Sequence, residues 1–168
     1  MRRVILVTGG ARSGKSVFSE TLAKEAGLRM AYIATAPVMD GEMAERVAKH
    51  RERRAAEGWT TIEEQTRLSE AISGCSGKFD VILVDCLTLW INNLLYHAEQ
   101  NKSELAEADM AHLCSELESA CSAFGGTVIF VINEVGLGIV PDNPLSRRFR
   151  DLSGRCSQSV AKWADHVV

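Results

Sequence analysis

The sequence lacks an apolar run of membrane-spanning length, and it lacks an excess of basic residues. Its 168 residues carry a formal net charge of −3, with 19 Lys and Arg against 22 Asp and Glu. A protein that coats nucleic acid normally carries a basic excess, so any binding of a polyanion by this chain must be local. We therefore expect no nucleic-acid partner and no membrane span.

The cysteines lack metal-binding or paired spacing, since none of them forms a C-x-x-C pair. An odd number of cysteines without such spacing favours reduced, mostly buried thiols and a cytoplasmic location. The five are Cys75, Cys86, Cys114, Cys121 and Cys156. Internal repeats and low-complexity segments are also absent. The composition, 46% hydrophobic and 24% charged, is typical of a globular protein. We expect residues 1–168 to form a single domain.

Short apolar runs alternate with longer helix-like segments along the chain. The runs are continuously apolar, as in strands of a parallel sheet that is covered on both faces. They are Val4–Val7, Met30–Ala34, Val81–Val84 and Val128–Ile132. Helices are predicted over 15–26, 41–57, 66–74, 87–98, 103–123 and 145–164. This alternation predicts an α/β fold with a mostly parallel sheet flanked by helices, in which ligands bind at the carboxyl ends of the strands.

The segment Gly9-Gly10-Ala11-Arg12-Ser13-Gly14-Lys15-Ser16 has the G-x-x-x-x-G-K-S spacing of the phosphate-binding P-loop. It lies between the first predicted strand and the first predicted helix, where that motif belongs. Its glycines allow successive backbone N–H groups to turn toward anionic oxygens. Lys15 would place a charge on the outer phosphates, and Ser16 would ligate Mg²⁺. The motif predicts nucleoside triphosphate binding in a P-loop NTPase-like fold; a tight turn that binds nothing is the alternative.

Acidic residues follow two of the later runs. Asp85 closes the third run, as the acid of a Walker B motif does; it could coordinate Mg²⁺, contact the nucleotide or cap the next helix. Glu134 follows the fourth run and could hold Mg²⁺, act as a base on a hydroxyl or satisfy nearby N–H groups. Asp40 is a candidate N-cap for the helix after the second run. We expect the strand ends to meet at one cleft.

The predicted helix after Asp40 is strongly basic. It contains Arg46, Lys49, His50, Arg51, Arg53 and Arg54. A basic run is commonly a solvated face, and a histidine on an apolar face is commonly structural. Here the spacing places His50 on the same face as Met43, Val47 and Arg54. Neighbouring cations and partial burial lower the pKa of an imidazole, and a neutral imidazole is a competent nucleophile. His50 therefore indicates nucleotidyl transfer, a chemistry that a simple P-loop kinase does not need.

The ordered set of motifs resembles the bifunctional adenosylcobinamide kinase / adenosylcobinamide-phosphate guanylyltransferase family of cobalamin biosynthesis. The resemblance runs essentially from end to end. It rests on the segments Thr8–Ser16, Tyr32–Thr35, Asp40–Arg51, Trp59–Glu63, Asp85–Thr88, Asn133–Pro141 and Arg148–Arg155.

The resemblance implies an enzyme with two activities. The family phosphorylates the aminopropanol hydroxyl of adenosylcobinamide with ATP or GTP. It then transfers GMP from GTP to adenosylcobinamide phosphate, releasing pyrophosphate and forming adenosylcobinamide-GDP. GMP passes through a covalent guanylyl-histidine, and the matching residue is His50. Family members form trimers, so the resemblance implies a homotrimer.

The family's nucleotide contacts also map onto this chain. They fall on Gly9, Gly10, Ala11, Arg12, Ser13, Gly14, Lys15, Ser16, Thr35, Ala36, Pro37, Arg51, Glu52, Arg53, Arg54, Glu63 and Asp85. Ser16 and Asp85 would hold Mg²⁺, although Glu can replace Asp85 in the family, which implies a competing role in base recognition. Two features depart from the family pattern. Ala55 stands where the family usually has Pro, and His166-Val167-Val168 resembles the start of a final strand that family members usually continue.

Two other functions remain open from the sequence. One is a plain P-loop small-molecule kinase in which His50 is structural. The other is a nucleotide-binding regulatory module that acts by changing shape. Retention of kinase turnover and GMP transfer alike in His50→Ala would favour the plain kinase, in which His50 is not the nucleophile. Tight nucleotide binding without a cobinamide-dependent product would favour the regulatory module.

Overall fold

The computed structural model describes residues 2–37 and 41–168, and for residues 41–44, 46, 47 and 50 it describes the backbone alone. The candidate N-cap Asp40 lies outside the described residues. In chain order the elements are β1 (Arg3–Gly9), α1 (Lys15–Ala26), β2 (Met30–Ala34), α2 (Gly41–Ala56), β3 (Trp59–Glu63), α3 (Leu68–Ser73), β4 (Val81–Asp85), α4 (Leu87–Gln100), α5 (Glu107–Phe124), β5 (Thr127–Asn133), α6 (Pro144–Trp163) and β6 (His166–Val167).

The described strands form one parallel sheet in the order β3-β2-β4-β5-β1-β6. The predicted α/β fold and its four apolar strands are therefore confirmed. Because all of these strands run in the same direction, their carboxyl ends lie at one edge of the sheet. The segments after β1, β2 and β4 leave the sheet at that edge, as the sequence predicts.

Helices cover both faces of the sheet, which explains why the central strands are continuously apolar. In β1, Val4 and Leu6 pack in a large cluster with residues of α3, α4, α5 and α6. Their neighbours Ile5 and Val7 pack in a second cluster with Ala23 of α1. Successive side chains of a strand point to opposite faces, so a strand between two helical layers has no polar face.

The strand β3 was not predicted from the apolar runs. It forms the edge of the sheet beside β2, with Tyr32 opposite Thr61 in the register. Its segment contains exposed Thr60 and Glu63 next to buried Trp59. An edge strand that is partly open to solvent needs no continuous apolar run, and that run was the signal by which the other strands were found.

The C-terminal segment pairs with β1 where the sequence indicated the start of a strand. His166 lies opposite Ile5, and Val167 lies opposite Leu6. The pairing continues into Val168, whose N–H donates to the Leu6 carbonyl at 2.9 Å and whose carbonyl accepts from the Thr8 N–H at 2.7 Å. This strand therefore contacts the end of β1 that leads into the P-loop.

The helix predicted over 103–123 begins later than expected, at Glu107. The Asp109 carboxylate accepts a hydrogen bond of 2.8 Å from the Ala106 N–H, which fixes the start of the helix. The other five helices lie within about two residues of their predicted limits, a normal uncertainty for helix ends.

The prediction of unpaired, mostly buried cysteines is confirmed, since all five thiols are free and buried. Among the residues that the structure describes, none of the helices combines the length and the hydrophobicity needed to cross a bilayer.

Candidate active site

The P-loop connects β1 to α1 and has the backbone conformation that its glycines predict. Gly9 and Gly14 have backbone φ angles of 148° and 89°, which residues with a Cβ atom rarely adopt. Lys15 is buried, and its ammonium donates to the Gly10 carbonyl and, at 3.2 Å, to the Ser13 hydroxyl. The lysine therefore lies along the loop itself, with its charge beside the backbone that would surround the phosphates.

The carboxylate of Asp85 lies at the centre of the polar contacts next to the P-loop. Its Oδ2 accepts one hydrogen bond from the Ser16 hydroxyl at 3.3 Å and another from the Tyr32 hydroxyl at 2.8 Å. Burial, followed by the negative charge of Asp85, raises the pKa of Tyr32 well above its ordinary value. Tyr32 consequently keeps its proton and remains a donor to Asp85 near neutral pH.

The predicted residue Thr35 has a different environment from the P-loop residues. Its side chain is fully buried. Its hydroxyl donates to the Cys86 carbonyl at 2.9 Å and accepts from the Cys86 N–H at 2.7 Å. The Thr35 carbonyl accepts from the Asn93 amide at 2.8 Å. The two bonds with Cys86 join the ends of β2 and β4, and the bond with Asn93 adds a contact with α4. Thr35 therefore stabilises the carboxyl ends of the strands, where Asp85 lies.

The C-terminal half of α2 lies near the same carboxyl ends of the strands. Arg53 makes an ion pair with Glu20 of α1 at 2.9 Å. Arg51 lies 3.5 Å from Glu63 at the end of β3, and both of those side chains are more than half exposed. Exposed pairs of this kind contribute little to stability.

Among the members of the basic run whose side chains the structure describes, Arg54 is the buried one, with 6% of its surface exposed. Its guanidinium carbon lies 3.8 Å from the centre of the Tyr32 ring, which is a cation–π contact. Its Nε donates to the Thr61 hydroxyl at 3.4 Å. The shared-face interpretation of α2 therefore holds for Arg54, which packs on the sheet rather than facing solvent.

A cavity of about 300 Å³ opens between α2, α1 and the ends of β2, β3 and β4. Acidic and basic side chains both line it, together with small and apolar residues. The lining residues are Ser16, Glu20, Tyr32, Ala34, Ala36, Arg53, Arg54, Glu63, Asp85 and Leu89. The cavity therefore begins where the P-loop ends and extends beneath the basic helix.

The structure brings together many of the predicted site residues. Six of them line the cavity, namely Ser16, Ala36, Arg53, Arg54, Glu63 and Asp85. The residues from Gly9 to Lys15 form the adjoining loop, and Pro37 follows Ala36. Arg51 contacts the lining residue Glu63 but does not itself line the cavity, and neither does the exposed side chain of Glu52. The predicted nucleophile His50 has its backbone within α2, and its side chain lies outside the described part of the chain.

Glu134 connects the ends of two strands. Its carboxylate accepts a hydrogen bond from the Thr8 hydroxyl, and its backbone N–H donates to the Gly9 carbonyl at 3.0 Å. Glu134 thus contacts the residues that lead into the P-loop. It does not line the cavity beneath α2.

Sequence reasoning did not select two residues of this site, Tyr32 and Glu20. Tyr32 lies in the segment Tyr32–Thr35 that resembles the family, and its apolar neighbours predict only a buried strand. A phenol in such a strand needs a hydrogen-bond partner, and that requirement could have indicated a contact at the strand end. Glu20 lies four residues after Ser16 in α1, and this helical spacing could have placed it on the face of the site.

The donor set fits Mg²⁺ bound together with phosphates. Ser16 and Asp85 bring a hydroxyl and a carboxylate to the end of the P-loop, and Mg²⁺ prefers such oxygen ligands. In the described parts of the chain, His, Cys, Asp and Glu side chains form no cluster of three or more that could hold a metal ion. Mg²⁺ at phosphate-binding sites commonly uses only one or two protein ligands, so two residues are sufficient.

Comparison with known structures supports the fold. The chain aligns over its full length with 51% of a structure described as a prototypical ATPase from the type III secretion system of pathogenic bacteria. The TM-score is 0.62 and the sequence identity is 14%. The chain thus spans about half the length of that ATPase, and the likeness concerns the fold alone.

Comparison with sequences identifies the family. Residues 5–168 match the family described as cobinamide kinase / cobinamide phosphate guanyltransferase. The bifunctional adenosylcobalamin biosynthesis protein CobP of Pseudomonas aeruginosa is 42% identical over 97% of this chain and 90% of its own length. The proteins of the same description called CobU are 40% identical in Escherichia coli and 41% identical in Salmonella typhimurium; each alignment covers 98% of this chain and 93% of the relative. The chain belongs to the cobinamide kinase / cobinamide phosphate guanyltransferase family.

Proposed function

We propose that this protein catalyses both reactions for which its family is named, with adenosylcobinamide as the substrate. In the first, the aminopropanol hydroxyl attacks the γ-phosphorus of ATP or GTP, the nucleoside diphosphate leaves and the hydroxyl proton is released. In the second, GMP is transferred from GTP to the new phosphate, giving adenosylcobinamide-GDP and pyrophosphate. The observation that carries the proposal is the position of α2, whose Arg53 and Arg54 line one cavity with Ser16 and Asp85.

The P-loop would hold the triphosphate in both reactions. Its backbone N–H groups and the N-terminus of α1 favour anionic oxygens, and Lys15 adds a positive charge. Ser16 and Asp85 are the proposed ligands of Mg²⁺. Bound there, the ion would neutralise charge on the phosphate oxygens. Recognition of the base is the alternative role of Asp85, and the two roles predict different effects of Asp85→Asn on nucleotide binding.

His50 is the proposed nucleophile of guanylyl transfer. A nitrogen of its imidazole attacks the α-phosphorus of GTP, a bond from nitrogen to phosphorus forms, and pyrophosphate leaves. A phosphate oxygen of adenosylcobinamide phosphate then attacks the same phosphorus and displaces the imidazole. The cationic side chains of Arg53 and Arg54 support this proposal, because they lie at the cavity where charge would develop on phosphoryl oxygens.

We also propose a homotrimer in a reducing compartment, the cytoplasm. The trimer follows from the family resemblance. The strongly exposed apolar side chains after β5, Leu137 at 88% and Ile139 at 96%, are consistent with an interface between subunits. Light scattering coupled to size-exclusion chromatography tests the trimer directly.

The five free buried thiols support a reducing compartment.

A product assay tests the two activities separately. The protein is incubated with adenosylcobinamide, ATP and Mg²⁺, and then GTP is added; products are separated by chromatography and weighed by mass spectrometry. We expect adenosylcobinamide phosphate first and adenosylcobinamide-GDP after the addition of GTP. Formation of the phosphate alone would support the plain kinase. Binding of nucleotide without either product would support a regulatory module.

A further inference from the structure

Tyr32 lies between the basic helix and the acid of the P-loop site. Its side chain is buried, with 7% of the residue exposed. The ring receives the guanidinium of Arg54 on its face, and the hydroxyl donates to Asp85. The edge of the ring also meets Trp59 at 5.9 Å between centroids and an interplanar angle of 85°. Tyr32 is therefore fixed by β3 on one side while it contacts two parts of the site.

The contact with Arg54 is the most buried of the polar contacts described for the C-terminal half of α2. The ion pairs of Arg51 and Arg53 use side chains that are 63% and 50% exposed, so water and salt screen them. Arg54 is instead 6% exposed, and its bond to Thr61 is long at 3.4 Å. The Tyr32 ring thus gives Arg54 a buried contact with the sheet, which the other described ion pairs of this half of the helix lack.

Position 50 precedes Arg54 by one helical turn, about 6 Å along the axis. Because an α-helix is stiff over one turn, the contact of Arg54 with the Tyr32 ring constrains the position of the backbone at residue 50. Covalent catalysis is sensitive to such placement, because a misplacement of about 1 Å can cost about a hundredfold in rate.

We propose that Tyr32 is a positioning residue for guanylyl transfer, with its ring holding α2 through Arg54 and its hydroxyl orienting Asp85. This inference rests on the proposed function. The two parts of the side chain then have different roles. The hydroxyl acts on Asp85, which both reactions would use, whereas the ring acts on the helix that carries the nucleophile, which only guanylyl transfer would use.

The variants Tyr32→Phe and Tyr32→Leu separate these roles. Both lack the hydroxyl, and they differ in the aromatic face beneath Arg54. Each is compared in three measurements: phosphorylation of adenosylcobinamide by ATP, affinity for GTP, and the single-turnover rate of covalent guanylylation at saturating GTP. Tyr96→Leu is the matched control, because Tyr96 is an exposed tyrosine of α4 outside the site.

We expect the guanylylation rate of Tyr32→Leu to be at least about tenfold lower than that of Tyr32→Phe. We expect phosphorylation and GTP affinity to differ between the two variants by less than about threefold. Backbone amides of α2 should also exchange hydrogen faster in Tyr32→Leu than in Tyr32→Phe, because leucine removes the aromatic ring on which Arg54 packs.

Equal guanylylation rates in the two variants would overturn the inference, and so would a loss of phosphorylation as large as the loss of guanylylation. Arg54→Lys provides a second test if Tyr32→Leu fails to fold. Lysine keeps the charge but loses the planar group that stacks on the ring, so guanylylation should fall and backbone amides of α2 should exchange hydrogen faster. Unchanged guanylylation in Arg54→Lys would also count against the inference. Absence of guanylylation in the unaltered protein would instead refute the proposed function.

Discussion

The hydroxyl of Ser16 lies 3.3 Å from Oδ2 of Asp85, although the two residues are 69 positions apart in the sequence. Ser16 ends the P-loop, and Asp85 ends β4. The fold thus brings a hydroxyl and a carboxylate together at the carboxyl edge of the sheet. This pairing supports a shared role in holding Mg²⁺, and it makes the role of Asp85 testable.

Asp85→Asn should weaken the effect of Mg²⁺ on GTP binding. The amide keeps the shape of the side chain but removes the charge that favours a cation, at a cost of about 1.5–3 kcal/mol in Mg²⁺-dependent affinity. Calorimetric titrations with GTP and ATP, each with and without Mg²⁺, measure this effect. A loss of preference for GTP over ATP with an unchanged effect of Mg²⁺ would assign Asp85 to base recognition instead.

Lys15→Ala should reduce both half-reactions together. The ammonium is buried along the P-loop, and its removal deprives the triphosphate of a nearby charge, so affinity should fall at least about tenfold. Equilibrium binding of ATP and GTP and the two product assays measure the loss. Lys24→Ala, in the same helix but in an exposed pair with Glu57, is the control. Loss of only one activity would refute a shared phosphate site.

Thr35→Val should destabilise the fold by about 1–3 kcal/mol. Valine has a similar shape but leaves the buried N–H and carbonyl of Cys86 without the hydroxyl partner. Urea unfolding followed by circular dichroism measures the change. Thr21→Val is the matched control, since the Thr21 hydroxyl is exposed and bonds within α1. A loss of stability no larger than in this control would contradict the role of Thr35 in joining β2 to β4.

Substitution by alanine should change the free energy of unfolding in opposite directions at two glycines. A Cβ on Gly126 would lie 2.4 Å from the Asp80 carbonyl oxygen and 2.6 Å from the Phe124 ring, so Gly126→Ala should cost at least about 1–3 kcal/mol. A Cβ on Gly154 would have no neighbour within 4 Å, and this glycine lies inside α6. Gly154→Ala should therefore stabilise the protein by about 0.5–1 kcal/mol. Thermal unfolding of both variants measures the difference, and equal shifts would contradict the packing at Gly126.

The sequence predicts the parts of the fold and site that have local signals. Buried strands appear as apolar runs, and the P-loop appears as a fixed spacing of glycines, Lys15 and Ser16. Asp85 was found because it ends such a run. The edge strand β3 has no comparable signal, since its stability comes from pairing with β2 and from packing of Trp59 against Tyr32.

Contacts between distant segments could not be predicted from spacing. The contact of Arg54 with Tyr32 depends on how α2 rests on the sheet, which the residues of the helix do not determine alone. Helical spacing places Arg54 on the face of His50, but only the structure shows that Arg54 is buried while Arg51 and Arg53 are exposed. The role of His50 is a prediction from the family motif and its position in α2.

Covalent labelling shows whether GMP is carried on His50, as we propose. The protein is incubated with Mg²⁺ and GTP labelled at the α-phosphate, denatured, and assayed for label on the chain and on the peptide that contains position 50. We expect label that is labile to acid, stable to base, absent from His50→Ala and retained in His112→Ala, because His112 is exposed on α5. Label that persists in His50→Ala, or no label on protein shown to bind GTP, would contradict this proposal.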